Sequence, residues 1–146
     1  MLPRLPDGGL AYVCGPVGLL QAVQQAAEKV YGNDQDLVRF ELFSRAGVVA
    51  PEPVPLDAEH YELVLTESGH TLRLEPEANI LEVVLALGVD VENDCRDGIC
   101  GSCITRVREG TVDHRDLVLT KKERAAMDQM LICVSRPTCP RLELEL

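Results

Sequence analysis

No stretch of the 146 residues stays apolar for long enough to span a bilayer, and the N-terminus carries no secretory pattern. Nothing therefore points to an oxidising compartment: a cytoplasmic location is expected, and disulfides become the weaker use for the six cysteines. Basic residues are scarce as well, 14 Lys and Arg standing against 24 Asp and Glu for a net charge of −10. Such a balance argues against nucleic acid, whose phosphates it would repel, and against anionic membrane. The excess is concentrated beyond residue 57, where 17 acidic side chains face 10 basic ones. An acidic surface suits docking to a basic patch on another protein, and equally serves to keep a chain soluble. Trp is absent and aromatics are few, but a hydrophobic share of 46% is ample for a packed core. There is no internal repeat or low-complexity tract, and the length fits one domain, or one domain with an appendage.

What the chain does have is a cysteine pattern. Cys95, Cys100 and Cys103 stand as C-x4-C-x2-C, and Cys133 follows thirty residues later. This is the plant-type [2Fe–2S] spacing, three thiolates in one loop completed by a distant fourth. Structural zinc sites also use four cysteines, usually as two short C-x2–4-C pairs, and zinc and disulfides remain the alternatives. A loop that folds around a cluster needs backbone N–H groups close to sulfur. Gly98 and Gly101 supply that freedom, because glycine reaches positive φ and brings no Cβ. Arg96, Gly98, Gly101 and Ser102 all sit where amides or hydroxyls can reach the sulfurs, although Arg96 reads equally well as a solvated cation. His60, His70 and His114 are dispersed, and the Cys-x-His pair of Rieske ligation does not occur. Cys139, between Thr138 and Pro140, reads as a plain thiol in a turn.

The segment from Ala46 to Leu56 alternates three prolines with other residues, cannot continue a helix and reads as an extended linker. After it, Tyr61–Thr66 and Thr71–Glu75 alternate apolar and polar residues around Ser68-Gly69-His70, predicting a β-hairpin. Asn79 with Glu82 predicts a capping box opening a helix whose buried stripe is Ile80, Leu81, Val84 and Leu85 and which Gly88 ends. Beyond the cysteine loop the pattern predicts a strand over Ile104–Arg108 and a helix from Lys121 to about Met130, capped by Thr120 and Glu123. Further strands are predicted over Leu131–Ser135 and Arg141–Leu146. Before the linker, Leu10–Cys14 and Val38–Phe43 predict strands flanking a helix that begins at Pro16 and stops at Gly32, with Val17, Leu20, Val23, Ala27 and Val30 at helical spacing. One such β-α-β unit is too small to cover its own sheet faces.

The order β-β-α-loop-β-α-β-β over residues 58–146 resembles the β-grasp of plant-type ferredoxins. Gly98-Ile99-Cys100-Gly101-Ser102-Cys103 with Leu131-Ile132-Cys133 matches that family's signature. The resemblance implies an α+β fold and a [2Fe–2S] cluster on Cys95, Cys100, Cys103 and Cys133. It also implies that Cys95 and Cys100 share the iron nearer the surface, and Cys103 and Cys133 the other. Residues 1–45 resemble the end of the NAD-binding domain of ferredoxin-reductase-type flavoenzymes, through Cys14-Gly15-Pro16 and Glu41-Leu42-Phe43. In that family the Cys-Gly turn lies beside the nicotinamide, so Cys14, Gly15 and Pro16 are implied to be a vestigial nicotinamide site. Taken alone, Cys14 reads as a small buried hydrophobe at a strand end.

Together the two segments resemble the C-terminal part of phthalate/vanillate dioxygenase reductases, which run flavin domain, NAD domain, [2Fe–2S] domain. The flavin-binding Arg-x-Tyr-Ser/Thr-like motif and the Gly-rich pyrophosphate loop of that family do not occur here. The expected organisation is a β-α-β remnant of the NAD-binding domain (1–45), a proline-rich linker (46–57) and a ferredoxin-type domain (58–146). The implied function is electron transfer as the C-terminal module of an NAD(P)H- and flavin-dependent reductase feeding a Rieske-type aromatic oxygenase. FMN and NAD(P)H would belong only to a full-length parent, and the partners would be a flavoprotein reductase domain or protein and the oxygenase component. The alternatives are a stand-alone ferredoxin served by a separate reductase, and a zinc-binding structural domain.

Overall fold

The computed structural model describes residues 5–6, 9–32, 37–45, 52–54 and 56–146. The chain divides into two units, Met1–Val49 and Ala50–Leu146.

In the first unit, β1 (Ala11–Cys14) and β2 (Val38–Glu41) pair in parallel, with Ala11 opposite Val38 and Cys14 opposite Glu41. A parallel pair needs a crossover, and α1 (Val17–Tyr31) provides it. Leu20 and Ala27 on the helix and Val38 on the strand are its buried residues, as helical spacing predicts. Pro16 sits at the N-cap, just outside the helix, and Gly32 at φ 59° closes it.

The second unit is built on a mixed sheet ordered β4-β3-β9-β5-β7. The predicted hairpin is β3 (Tyr61–Leu65) and β4 (His70–Leu74), antiparallel from Tyr61↔Leu74 to Leu65↔His70, and Gly69 at φ 74° makes the turn. Strand β9 (Arg141–Leu144), last in the chain, lies parallel to β3, and β5 (Ile104–Glu109) runs antiparallel on its other side. Alternation then fixes which side chains turn inward: Tyr61, Leu63 and Leu65 on β3, Leu142 and Leu144 on β9, Thr105 and Val107 on β5. Helix α2 (Ile80–Ala86), capped by Asn79, buries Ile80, Leu81 and Val84 in the same core, with Leu85 packed at its edge.

Three predicted elements differ in extent. Helix α3 spans only Lys121–Ala126: its Thr120–Glu123 capping box forms, but Met127 adopts a left-handed φ of 54° and ends it. The next residues are taken by pairing, because β7 (Gln129–Leu131) places Met130 opposite Thr105 and buries it completely. Leu131–Ser135 is not a strand. After Leu131 the chain turns, Val134 and Ser135 both donating to the Leu131 carbonyl at 3.3 and 3.0 Å. A small ladder of β6 (Val112–Asp113) with β8 (Arg136–Pro137) follows from that turn and has no signal in the sequence. The proline-rich linker lies largely outside the described residues.

Leu63 is fully buried in the central sheet, so Leu63→Ala is expected to cost about 2–5 kcal/mol in urea unfolding. Thr71→Ala, on an exposed position of β4, is expected to change stability by no more than about 0.5 kcal/mol in the same measurement.

Candidate metal centre

Between α2 and β5 the chain forms no regular element from Gly88 to Cys103, and this loop carries three of the four cysteines. Four of its residues hold left-handed backbone: Gly88 at φ 78°, where the loop leaves α2, then Arg96 at 54°, Gly98 at 70° and Gly101 at 83°. The fourth cysteine, Cys133, lies in the turn after β7. That turn is brought to the loop by the β5–β7 ladder, which the contact of Ile132 N–H with the Cys103 carbonyl (3.4 Å) extends.

The four sulfurs stand as two pairs of different exposure. Cys103 and Cys133 are 2% and 3% exposed and their Sγ atoms are 3.1 Å apart. Of the other two, Cys95 is half-buried and Cys100 is exposed to solvent, and Cys95 acts on the Cys100 thiol. Cys133 holds the Cys103 thiol down at about 7 against the effect of burial. Cys133 itself is pushed far up, first by that same contact and then by burial. For Cys100, burial acts upward, yet hydrogen bonds from Cys95 and from Ser102 outweigh it and bring the thiol to about 6.

Backbone and hydroxyl donors surround the sulfurs. Asp97 N–H points to Cys95 Sγ at 3.3 Å, and the Gly98 backbone favours the deprotonated form of Cys133, though less than burial and Cys103 oppose it. Ser102 Oγ lies 3.1 Å from Cys100 Sγ while accepting Asp94 N–H at 2.9 Å, which leaves its hydroxyl proton for the sulfur. Ser102 therefore stands where expected, and Gly98 acts on Cys133 through its backbone. The Arg96 guanidinium does not: it binds Glu82 at 3.1 Å and Asn93 at 3.1 Å, bracing the loop against α2.

The donor set fits a two-iron cluster better than a single zinc ion. A tetrahedral zinc gathers all its ligands about one point. Among the described residues no three Cys, His, Asp or Glu side chains converge in that way. Two irons bridged by sulfide need only two thiolates each, which is the arrangement of the two pairs. All six cysteines are free thiols.

Segment 114–119, which the sequence did not single out, supports the loop from behind. Leu117 N–H donates to the Gly98 carbonyl at 2.9 Å, and Val118 packs on Gly101. A Cβ at Gly98 would lie 2.6 Å from Val134 Cγ2 and 3.3 Å from Asp116 Cα, so no larger residue fits there. Asp116 is completely buried, and its Oδ2 accepts the amides of Val118 at 3.0 Å and Leu119 at 2.8 Å. His114, also buried, lies 3.8 Å from the Asp116 carboxylate, and burial holds its imidazole below the ordinary range. Cys139 is in the turn before β9, accepting from Thr111 N–H at 3.1 Å and donating to the Arg141 carbonyl at 2.9 Å. In the other unit, Cys14 ends β1 exposed rather than buried, because the two-stranded sheet leaves its face open, and Gly15-Pro16 leads from it into α1.

Residues 63–138 match the 2Fe-2S iron-sulfur cluster binding domain family. All 146 residues align at 36% identity with a carnitine monooxygenase reductase subunit of Acinetobacter pittii (strain PHEA-2), covering 45% of that protein. A phenoxybenzoate dioxygenase subunit beta of Ectopseudomonas oleovorans is 38% identical over 97% of the chain and 41% of its own length. Among solved structures, phthalate dioxygenase reductase, a modular structure for electron transfer from pyridine nucleotides to [2Fe–2S], superposes with a TM-score of 0.63 at 31% identity. The match covers 98% of this chain and 41% of that one. The chain thus spans less than half the length of these relatives. Two thiolate pairs in an amide-rich loop, on a β-grasp sheet that the family model overlaps, place the chain in the 2Fe-2S iron–sulfur cluster binding family.

Proposed function

We propose that Cys95, Cys100, Cys103 and Cys133 hold the cluster, and that the chain is the electron-carrying C-terminal module of an NAD(P)H- and flavin-dependent reductase serving a Rieske-type oxygenase. The observation that carries this reading is the pairing of the sulfurs, one pair open to solvent at Cys100 and one buried. A bound [2Fe–2S] cluster supplies a one-electron couple. Cys95 and Cys100 would hold its outer iron and Cys103 and Cys133 its inner one. The exposed Cys100 then gives electrons a short path to a docked protein. The donors on Cys95, Cys100 and Cys133 favour the more negative reduced state, and the apolar residues behind the inner pair keep water away.

Support for the wider assembly comes from the relatives, several of which are named as reductase subunits of oxygenase systems. One solved structure pairs an NdmA protein with the ferredoxin domain of NdmD. In this reading residues 1–45 are the end of an NAD-binding domain, 46–57 the linker and 58–146 the ferredoxin domain. Cys14, Gly15 and Pro16 are the vestige of a nicotinamide site, and FMN and NAD(P)H belong to the full-length parent. The reduced thiols suit the cytoplasm. Among the described residues no helix is long and apolar enough to cross a membrane.

Anaerobically purified protein is expected to be reddish-brown, with two irons and two labile sulfides per chain and a rhombic EPR signal on reduction. Stoichiometric zinc without visible absorbance would contradict the reading. Single Ser replacements of Cys95, Cys100, Cys103 or Cys133 are expected to lose or destabilise the cluster, while Cys14→Ser and Cys139→Ser keep it, as iron and sulfide analysis would record. Gly98→Ala and Gly69→Ala carry the same backbone penalty, at φ 70° and 74°, but only the first meets a neighbour. Cluster content should fall in Gly98→Ala alone. The isolated chain should not oxidise NADH, yet should relay electrons from an added flavoprotein reductase to cytochrome c. That relay should weaken as salt rises, because exposed charges are screened beyond about 8–10 Å. A relay indifferent to salt would remove the role proposed for the acidic surface.

A further inference from the structure

We infer that Asp116 is a positioning residue for the cluster loop, setting the reduction potential through the Gly98 backbone without touching a sulfur. The inference rests on the cluster reading above. Three linked observations carry it.

The carboxylate of Asp116 is 0% exposed, and its Oδ2 takes two successive amides, Val118 at 3.0 Å and Leu119 at 2.8 Å. Two bonds to one oxygen fold residues 116–119 into a tight turn. That turn is locked from outside by Arg124 of α3, whose Nη2 donates to the Asp116 carbonyl at 2.6 Å and stands 3.6 Å from the carboxylate. The turn then aims Leu117 N–H at the Gly98 carbonyl, 2.9 Å away. Gly98 is held at its carbonyl by the turn, and the residue before it, Asp97, donates its N–H to Cys95 Sγ at 3.3 Å. The buried carboxylate therefore fixes the loop backbone one residue from a hydrogen bond to a ligand sulfur.

The chemistry gives the effect a sign. A hydrogen bond to a thiolate ligand stabilises the reduced cluster, which carries one more negative charge, and so raises the potential. Without the Asp116 carboxylate the turn loosens, Leu117 N–H loses its aim, and the adjoining Asp97 amide drifts from Cys95 Sγ. The potential falls. Asparagine should preserve the effect, because its carbonyl oxygen can take both amides from the same place while its NH2 faces His114 Nδ1, where Oδ1 now lies at 3.8 Å.

The test uses the cluster-loaded full chain and two readouts besides activity: midpoint potential by EPR-monitored titration, and deuterium exchange of amides 97–119. In the wild type, the Leu117, Val118 and Leu119 amides are expected to be protected; exchange at free-peptide rates would overturn the inference without any variant. Asp116→Ala should shift the ratio of reduced to oxidised cluster about tenfold towards oxidised at fixed ambient potential, ~59 mV for a one-electron couple. Exchange across 97–119 should rise with it. Asp116→Asn should restore both. Leu65→Ala, a core change remote from the turn, should lower the melting temperature and move neither. A loaded Asp116→Ala protein with wild-type potential and exchange would overturn this inference alone. A wild-type chain without the [2Fe–2S] spectrum would overturn the cluster reading, and this inference with it.

Discussion

Everything around the sulfurs depends on Gly98 being bare. Three pieces of chain distant in sequence meet at this one Cα: the cysteine loop, the turn at Val134 and the turn at Asp116. With a left-handed φ and no Cβ, Gly98 lets the Val134 side chain and the Asp116 backbone close over it. That closure seats the Cys133 turn against the cysteine loop, where the β5–β7 ladder has already brought Cys133 beside Cys103. A methyl group here would force the Cys133 turn outward and separate the inner pair. The sheet, the Thr120–Glu123 capping box and the aliphatic core hold those three segments in place so that they can meet at one atom.

The division of the sulfurs into an exposed and a buried pair follows from where each sits on the sheet. Cys103 immediately precedes β5 and Cys133 follows β7, so the ladder between those strands draws both into the core. Cys95 and Cys100 belong to the part of the loop that leaves the sheet, and Ser102 and Asp97 serve them from the solvent side. An electron carrier needs this asymmetry: one end shielded from water, the other within reach of a partner. The acidic residues Asp90, Glu92, Asp94 and Asp97 lie exposed along the approach to that outer end. Arg96, the one basic residue among them, is engaged by Glu82 and Asn93.

The first unit leaves much of its aromatic surface open. Two parallel strands and one helix leave Tyr12 67% and Phe43 85% exposed, a heavy load of aromatic surface for a chain with only five such residues. Parallel strands are ordinarily covered on both faces.

Local patterns were legible in the sequence because they depend on neighbours in the chain. Alternation gave the β3–β4 hairpin, helical spacing gave α1 and α2, Asn79 and Thr120 marked their helix starts, and the cysteine spacing marked the loop. What could not be read is whatever depends on pairing between distant segments. The short end of α3 and the turn holding Cys133 arise because β5 captures Gln129–Leu131, a competition that no local propensity records. The insertion of the last strand beside β3 is likewise a matter of sheet order. Residues 114–119 gave no signal at all, since a buried aspartate binding its own turn resembles any polar loop until the chain is folded around it. The sequence by itself determined which atoms can ligate iron, because that is chemistry of residue type and spacing. Only the tertiary structure decided how close Cys133 comes to Cys103 and what holds Gly98 in place, because those are distances between segments that the chain order leaves free.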